Sequence, residues 1–259
     1  MPFVLTDCQE QIGTITLTNA AKRNSLSCAL LGELTSALHN LQRHKVRAVV
    51  LRAEPGVRVW SSGLDVTELP EPGRDPLSYG DPIEQVLRGI QHFPAPVIAM
   101  IEGGVWGGAC DLVFTCDITI GSPTASFTMT PAKLGVPYNS TGILHFINIV
   151  GERVAREMFF TAQPVEAERA LRIGILNHLV PADQLEPFTY SVAAQIAENS
   201  PLSIEVMKEQ LRILSSSHPL SPETFERIQS LRRRVYDSND YCEGKEAFLS
   251  KRKPVFKGE

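Results

Sequence analysis

Residues 105–111 read V-W-G-G-A-C-D, and the segments on either side of them decide the fold. The apolar run P-V-I-A-M-I-E at 96–102 precedes them, and D-I-T-I at 117–120 follows. Both runs are typical of buried strands, and residues 107–116 are predicted to form a helix between them. A strand, a helix and a second strand in this order indicate parallel strands joined by a crossover helix. The paired glycines stand where that helix begins.

The same alternation of strands and helices extends over the first part of the chain. Period-two alternation at 11–18 and apolar runs at 47–52 and 57–61 predict further strands, and leucines at helical spacing across 25–43 predict a helix. An α/β body follows from this alternation. From about residue 142 the pattern is mostly helical, with helices predicted at 152–160, 165–173, 183–198, 201–214, 221–236 and 240–250. We therefore divide the chain into a core at residues 1–198 and a helical C-terminal region at 199–259.

Composition limits the classes of function. The chain has 259 residues, 43% of them hydrophobic, which is enough for a sizeable core. Its net charge of −4 gives no sign of a general attraction to nucleic acid or to a membrane surface, and its apolar runs are too short to span a bilayer. The 5 cysteines lack a C-x-x-C pair and the 6 histidines lack metal-ligand spacing, so no disulfide framework and no metal site are predicted. No secretory signal is visible, and we expect a cytoplasmic protein.

The glycines at 107 and 108 form one half of a candidate site, and S-S-G-L-D at 61–65 forms the other half. In each segment glycine allows the backbone to turn a neighbouring N–H toward a ligand. Two N–H groups that converge on one point form an oxyanion hole, which stabilises negative charge on a carbonyl oxygen. If the two segments meet in space, they predict enolate or acyl chemistry. Either motif alone is weak, because paired glycines also mark tight helix–strand packing.

Several polar residues have simpler interpretations. Asp65 and Glu68 form a D-x-x-E pattern, for which helix capping is favoured over catalysis. The segment 69–82 is rich in proline and glycine, which predicts a surface loop that is either a plain connector or a cover for a substrate. Arg232–Arg234 with Asp237 are predicted to lie at a subunit interface or on a solvated face. A stripe of apolar residues at helical spacing predicts packing, and it consists of Ile204, Met207, Leu211 and Leu214.

Together with N-S-L at 24–26, C-D-I-T-I at 116–120 and A-F-L-S-K-R-K-P-V-F at 247–256, these segments resemble the crotonase (enoyl-CoA hydratase/isomerase) superfamily over nearly the whole chain. The strings that resemble its methylmalonyl-CoA decarboxylase branch are G-R-D-P-L-S-Y at 73–79, M-T-P-x-x-L-G-V-P-Y-N at 129–139 and F-E-R-I-Q-S-L-R-R-R-V-Y-D-S at 225–238. The resemblance implies an α/β spiral of ββα turns with a helical C-terminal trimerisation region. A homotrimer or a dimer of trimers is then expected. An acyl-CoA thioester is the implied substrate, and no separate cofactor is implied.

The resemblance also implies roles for particular residues. The N–H groups of Leu64 and Gly108 would form the oxyanion hole, and Tyr138 matches the tyrosine that positions the substrate carboxylate in the decarboxylase branch. Contacts with CoA or with the acyl group are implied for Ser62, Gly63, Asp65, Val66, Thr130 and Lys251. CoA carries phosphates, for which Lys22 and Arg23 are candidate partners. The basic cluster at 251–253 can reach the nucleotide held by its own or a neighbouring subunit.

Two departures from the family pattern decide between reactions. Hydratases of the superfamily use two glutamates to hold and activate water, and the corresponding positions here are Asp111 and Pro131. Proline supplies neither an acid nor a base, so the two-carboxylate mechanism is incomplete. For Asp111 two readings stay open, catalysis and a simple acidic position in the first turn of a helix.

The expected reaction is therefore decarboxylation of a short branched malonyl-CoA, such as methylmalonyl-CoA to propionyl-CoA and CO2, through an enolate stabilised by the oxyanion hole. The alternatives are an enoyl-CoA hydratase or isomerase that uses Asp111, and a catalytically silent binding protein of the same fold. The proton that quenches the enolate has no donor visible in the sequence. His145 and water are candidates, and His145 is not favoured.

Overall fold

The computed structural model describes residues 2–215 and 221–258. In chain order its strands are β1 (Val4–Gln9), β2 (Ile12–Leu17), β3 (Ala48–Ala53), β4 (Val59–Ser61), β5 (Val97–Ile101), β6 (Gly104–Trp106), β7 (Ile118–Gly121), β8 (Ser126–Thr128), β9 (Val165–Glu166) and β10 (His178–Leu179). Its helices are α1 (Cys28–Arg43), α2 (Pro82–Gln91), α3 (Gly108–Thr115), α4 (Ser140–Thr161), α5 (Ala167–Arg172), α6 (Leu185–Glu198), α7 (Pro201–Ser215), α8 (Pro222–Tyr236) and α9 (Asn239–Leu249).

The strands form two sheets, and successive strands alternate between them. The 6-stranded sheet has the order β1-β2-β3-β5-β7-β10, and the 4-stranded sheet has the order β4-β6-β8-β9. After the antiparallel β1–β2 hairpin, the neighbours in the larger sheet are parallel. From β3 to β8 each pair of consecutive strands places one strand in each sheet, and helices lead to the next pair. The predicted α/β spiral of ββα turns is thereby confirmed.

The core lies on both faces of the larger sheet. On one face the buried leucines of α1 and the apolar side of α2 pack against the sheet together with α3. On the other face α6 covers a second buried cluster through Leu185 and Ala193. Trp60 joins the two sheets, because its indole Nε1 donates a hydrogen bond of 2.9 Å to the Met100 carbonyl oxygen. This packing holds the ends of β4 and β6, where the candidate motifs follow, at fixed positions.

Most predicted elements occur near their expected positions, and the differences have local causes. The helix predicted at 25–43 begins at Cys28, because the Ser27 side chain caps it by accepting from the Leu30 N–H. The helix predicted at 152–160 is the second half of α4, which begins at Ser140, and the helix predicted at 165–173 is shorter, because β9 occupies its first two residues. Non-helical φ and ψ at Gly151 kink α4 and separate its two halves. Helix α2 was missed because it follows the proline-rich segment.

The segment 69–82 is a loop fastened to the C-terminal helices. Arg232 is 7% exposed, so its predicted position at an interface or solvated face is wrong. Its guanidinium donates to both carboxylate oxygens of Asp75, one of them at 2.7 Å, and to the Leu77 carbonyl oxygen. The Tyr241 hydroxyl donates to the Pro70 carbonyl oxygen at 2.8 Å. Helices α8 and α9 therefore hold this loop against the body.

Most of the apolar stripe on α7 is exposed. Met207, Leu211 and Leu214 find no packing partner in the part of the chain that the structure describes, so the predicted packing is not seen there. Lys208, which borders the stripe, fastens α7 to the body through Asp117 at 2.7 Å. No helix in the described ranges is long and apolar enough to cross a membrane.

Two glycine-to-alanine substitutions are predicted to change stability in opposite directions. A Cβ at Gly244 in α9 would overlap the Leu134 carbonyl group and lie 3.1 Å from Leu134 Cα, so backbone must move. Gly32 lies exposed within α1, where a Cβ would meet nothing within 4 Å. Gly244→Ala should lower the free energy of unfolding by ~1–3 kcal/mol. Gly32→Ala should raise it by ~0.5–1 kcal/mol.

Urea unfolding at one protein concentration measures both variants against the parent chain. Equal stability of the Gly244→Ala variant and the parent would contradict the close approach of α9 to residues 131–134.

Candidate active site

The two glycine-containing segments meet in space. A Cβ added at Gly63 would collide with the Trp106 carbonyl oxygen and lie 3.0 Å from the Gly108 nitrogen. Gly63 has a φ of 81° and Gly107 a φ of 53°, both in the region that favours glycine. The Gly107 N–H is fixed by donation to the Thr128 carbonyl oxygen at 2.8 Å. Absence of a side chain at Gly63 is therefore what allows the contact between the segments.

The N–H groups of Leu64 and Gly108 are available to a ligand. Gly108 is the first residue of α3, so its N–H has no acceptor within the helix. Around Leu64, the Leu26 N–H donates to the Gly63 carbonyl oxygen and the Asp65 N–H donates to the Leu26 carbonyl oxygen. These bonds hold the loop and leave the Leu64 N–H unused. Within residues 2–215 and 221–258, neither N–H has a hydrogen-bond acceptor.

Both residues line a cavity of about 550 Å³, a size typical of small-molecule sites. Most of the predicted site residues line it too, namely Lys22, Arg23, Ser62, Asp65, Val66, Thr130 and Tyr138. Gly63 and Asp111 lie directly behind the wall, in contact with Gly108 and Tyr138 respectively. Lys251 is exposed and outside the lining of this protomer, so its contact with a substrate stays a prediction.

The charged residues at the cavity are mostly basic. Lys22 and Arg23 lie exposed at its edge, and the Arg23 guanidinium stands 5.9 Å from the centroid of the Trp106 ring. Arg252 also lines the cavity, where Glu243 holds its guanidinium through two hydrogen bonds of 2.6 and 2.7 Å. Sequence reasoning named the 251–253 cluster but placed the emphasis on Lys251.

Asp65 is the one acidic residue among the described residues of the lining, and it is occupied as a cap. Its Oδ1 accepts from the Thr67 N–H at 3.0 Å and from the Thr67 hydroxyl at 2.6 Å. The predicted capping box does not close, because Glu68 accepts from the Cys28 N–H instead. Pro131 lines the cavity at the position of the second hydratase glutamate. A water-activating carboxylate pair is therefore missing from the described lining.

A buried polar chain stands behind Tyr138. The Tyr138 hydroxyl donates to Asp111 Oδ2 at 3.0 Å, and His145 Nδ1 donates to Asp111 Oδ1 at 2.7 Å. Gln91 Nε2 lies 2.9 Å from His145 Nε2. The Asp111 side chain is 2% exposed, whereas that of His145 is 15% exposed. Asp111 is thus a buried member of a hydrogen-bonded chain, which is more than its place in the first turn of α3 would indicate.

A second buried carboxylate, Glu84 of α2, was missed by the sequence analysis. It accepts a hydrogen bond from the Asn139 amide, and its other oxygen is 3.8 Å from Arg88 Nη1. Burial raises the pKa of Glu84, and the charge of Asp111 adds to the rise. The signal that could have found α2 is the helical spacing of Ile83, Val86, Leu87 and Ile90, which the sequence analysis overlooked.

The pKa values of the chain follow from burial and from Asp111. Burial and the Asp111 charge raise the pKa of Tyr138 well above its usual value, which keeps the phenol protonated. Burial lowers the pKa of His145, but the hydrogen bond to Asp111 and the charges of Asp111 and Glu84 outweigh it and raise the pKa overall. His145 therefore stays protonated to a higher pH than a free imidazole.

Gly142 makes room for this chain. A Cβ at position 142 would overlap the Tyr138 ring and lie 2.6 Å from Asp111 Oδ2. The Asn139 side chain caps α4 by accepting from the Gly142 N–H at 2.8 Å, which sets the start of the helix next to Tyr138. Within the described residues, no group of His, Cys, Asp and Glu side chains is suited to hold a metal ion.

The fold and the paired N–H groups define a class. The chain matches the Enoyl-CoA hydratase/isomerase family over residues 7–259, and it belongs to that family. It is 48% identical over 248 residues to methylmalonyl-CoA decarboxylase from Escherichia coli K12, covering 96% of this chain and 95% of that protein.

Solved structures give the same likeness. A methylmalonyl-CoA decarboxylase in complex with 2-nitronate-propionyl-CoA superposes with a TM-score of 0.97 at 47% identity, over 99% of both chains. A methylmalonyl-CoA decarboxylase complexed with 2S-carboxypropyl-CoA gives a TM-score of 0.98 at 46% identity, over 100% of this chain and 99% of the other. This chain is therefore a homologue of a CoA-dependent decarboxylase.

We predict that NMR titration of His145 gives a pKa above the ordinary value of 6.5 and that Asp111→Asn reverses the shift. The variant removes the charge that raises the pKa and leaves the burial that lowers it. Because the folded-state pKa is the higher one, the pair contributes stability that is present at low pH and is lost as the pH rises through it. Asp65→Asn is the control, since Asp65 does not contact the hydrogen-bonded residues Tyr138, Asp111 and His145. A titration of His145 that is the same in the parent and the Asp111→Asn variant would contradict the pairing.

Proposed function

We propose that this protein decarboxylates methylmalonyl-CoA to propionyl-CoA and CO2. The observation that carries the proposal is a pair of unused N–H groups, from Leu64 and Gly108, in a cavity whose one described acidic residue is engaged as a cap. Such a site can stabilise an enolate but lacks the pair of carboxylates that hydration requires. The likeness to methylmalonyl-CoA decarboxylase supports the choice of substrate.

The two N–H groups would do most of the catalytic work. As the C–C bond to the carboxylate breaks, its electron pair moves into the thioester and negative charge collects on the carbonyl oxygen. Hydrogen bonds from Leu64 and Gly108 stabilise that charge, and one such donor is worth about 10²–10³ in rate. The helix α3, which begins at Gly108, directs its positive end to the same oxygen. No base is needed, because loss of CO2 itself forms the enolate.

Tyr138 would orient the carboxylate that leaves. The breaking bond must stand perpendicular to the thioester plane so that its electrons overlap the carbonyl π system. A neutral phenol can donate one hydrogen bond to this carboxylate without adding a charge that would hold it in place. The surrounding wall is mainly apolar, with Val136 and Pro131 beside Tyr138. An apolar wall favours the departure of neutral CO2 over retention of the anion.

The CoA moiety would lie along the basic edge of the cavity. Lys22, Arg23 and Arg252, which line the cavity, would meet its phosphates, and the backbone at 62–66 and Thr130 would contact the rest of the substrate. Lys251 would contact a substrate held by its own or a neighbouring subunit. The exposed apolar stripe on α7 supports the proposed homotrimer or dimer of trimers, in which a neighbour would cover it. A cytoplasmic location is proposed on the same family likeness.

An enoyl-CoA hydratase that uses Asp111 is the alternative. Both oxygens of Asp111 are engaged, one by Tyr138 and one by His145, and the residue is behind the cavity wall. A catalytically silent binding protein is the other alternative, against which stands the intact contact between residues 63 and 106–108.

Purified protein incubated with methylmalonyl-CoA is expected to yield propionyl-CoA and CO2, followed by mass spectrometry. Tyr138→Phe should lower kcat/KM by about 10- to 100-fold, the usual value of a hydrogen bond to a charged group. Hydration of crotonyl-CoA without turnover of methylmalonyl-CoA would overturn the proposal. Unaltered activity of the Tyr138→Phe variant would instead favour a mechanism through Asp111.

Gly63→Ala should reduce kcat/KM by about 10²-fold or more, because the new Cβ forces the Leu64 and Gly108 donors apart. Gly56→Ala is the matched control. Gly56 also has a positive φ, of 75°, but a Cβ there would meet nothing within 4 Å. Both variants therefore carry a similar backbone strain, and only the first disturbs the site. Similar activity of the two variants would show that the close approach of the loops is unimportant.

A further inference from the structure

We propose that His145, Asp111 and Tyr138 form a proton relay that delivers a solvent proton to the enolate carbon. This inference rests on the proposed function, since it concerns the second half of the same reaction. Decarboxylation of a malonyl thioester consumes one proton for each CO2 released. Within the described lining, the acidic side chain is already engaged as a cap and the histidines lie elsewhere. The proton must therefore enter through a wall of the cavity or with water.

The Tyr138 hydroxyl has one proton and two candidate acceptors, Asp111 and the substrate carboxylate. In the structure the Tyr138 hydroxyl donates to Asp111 Oδ2 at 3.0 Å. When a substrate carboxylate accepts from the same hydroxyl, Asp111 loses its donor, and two anionic groups face one phenol oxygen. Binding of a proton by Asp111 at Oδ2 resolves this conflict, because Asp111 then donates to the phenol oxygen while the phenol donates to the substrate.

Two buried carboxylates, Asp111 and Glu84, lie close together behind Tyr138. Asp111 and Glu84 are buried at 2% and 4% exposure. His145 pairs with Asp111, whereas the Arg88 guanidinium stands 3.8 Å from Glu84 and its Nη1 has no hydrogen-bond partner among the described residues. A substrate carboxylate would add a third negative charge beside these two, which favours uptake of one proton by the cluster.

His145 connects these carboxylates to solvent. Its Nδ1 donates to Asp111 Oδ1 at 2.7 Å, and its side chain keeps 15% exposure. Its Nε2 faces the Gln91 carboxamide at 2.9 Å. A carboxamide can donate to the neutral imidazole and, when turned over, accept from the charged one. His145 can therefore gain and lose a proton without losing a partner.

The step balances as follows. After CO2 has left, the enolate carbon takes the Tyr138 proton, and the electron pair of the broken O–H bond takes the proton of Asp111 Oδ2. The Asp111 carboxylate that remains takes a proton from the His145 imidazolium at Oδ1, and a half-turn about Cβ–Cγ brings it to face Tyr138. Gly142 has no side chain to obstruct this turn, since a Cβ there would lie 2.6 Å from Asp111 Oδ2. The imidazole regains its proton from solvent.

Turnover of methylmalonyl-CoA in an equal mixture of H2O and D2O tests the relay. Mass spectrometry gives the deuterium fraction at C2 of propionyl-CoA, which reports only the protonation step. Transfer through Tyr138 should give a fraction different from that of the Tyr138→Phe variant, in which water protonates directly. Asp111→Asn, His145→Asn and His145→Gln should each shift the fraction to the Tyr138→Phe value.

Two further measurements separate a relay from a structural role. In the parent the deuterium fraction should change as the pH rises through the pKa of His145. The titratable and charged groups around His145 are Glu84, Arg88, Asp111 and Tyr138. In the His145→Asn variant the fraction should be independent of pH. Glu152→Gln is the control, because Glu152 lies on α4 as His145 does but its exposed carboxylate pairs with Arg156 outside the relay, and it should leave the fraction unchanged.

The outcomes distinguish the two proposals. Absence of propionyl-CoA with the parent protein would overturn the proposed function. Propionyl-CoA formed with the same deuterium fraction in the parent and in all the relay variants would overturn the relay and leave the proposed function standing. A loss of kcat/KM in both His145 variants without a shift in the fraction would assign His145 a structural role only.

Discussion

The site depends on one close approach between two backbone segments. Gly63 lies so near the Trp106 carbonyl and the Gly108 nitrogen that a single added carbon atom would separate them. That approach brings the Leu64 and Gly108 N–H groups to one cavity, and the strands β4 and β6 of the smaller sheet fix it, because each leads directly into one of the segments. The alternation of strands between two sheets thus has a chemical consequence, since it aligns two loop ends that are distant in sequence.

The rest of the site decides which reaction an oxyanion hole would serve. Proline at 131 removes one water-activating group, and Asp111 is engaged behind the wall instead of facing a water in the cavity. What remains beside the N–H donors is a neutral phenol and an apolar wall. These features favour a reaction in which a substrate carboxylate leaves as neutral CO2 and its negative charge passes to the thioester oxygen. Asp111 and His145 lie behind Tyr138. In the proposed relay they supply the proton that the enolate needs after the C–C bond has broken.

The fold and the donors could be predicted because their signals are local. Gly63, Gly107 and Gly108 follow strands and precede turns or a helix, and apolar periodicity marks β2, β3, β5 and β7. Partnerships across the fold left no such signal. Arg232 finds Asp75 and Asp111 finds His145 only after the chain has folded, so both pairings escaped sequence reasoning. Helix α2, which carries Glu84, was overlooked although Ile83, Val86, Leu87 and Ile90 have helical spacing, because it begins directly after the proline-rich segment.

Binding of a stable enolate mimic tests the central claim most directly. Calorimetry with 2-nitronate-propionyl-CoA, the ligand in the complex of a similar decarboxylase, should show binding about 10²-fold tighter than that of propionyl-CoA. The difference should arise because propionyl-CoA is neutral at this end, whereas the nitronate shares its negative charge between the nitro oxygens and the thioester oxygen that would face the Leu64 and Gly108 N–H groups. Equal affinity for the two thioesters would contradict the account, because the cavity would then recognise CoA without stabilising the charge of an enolate.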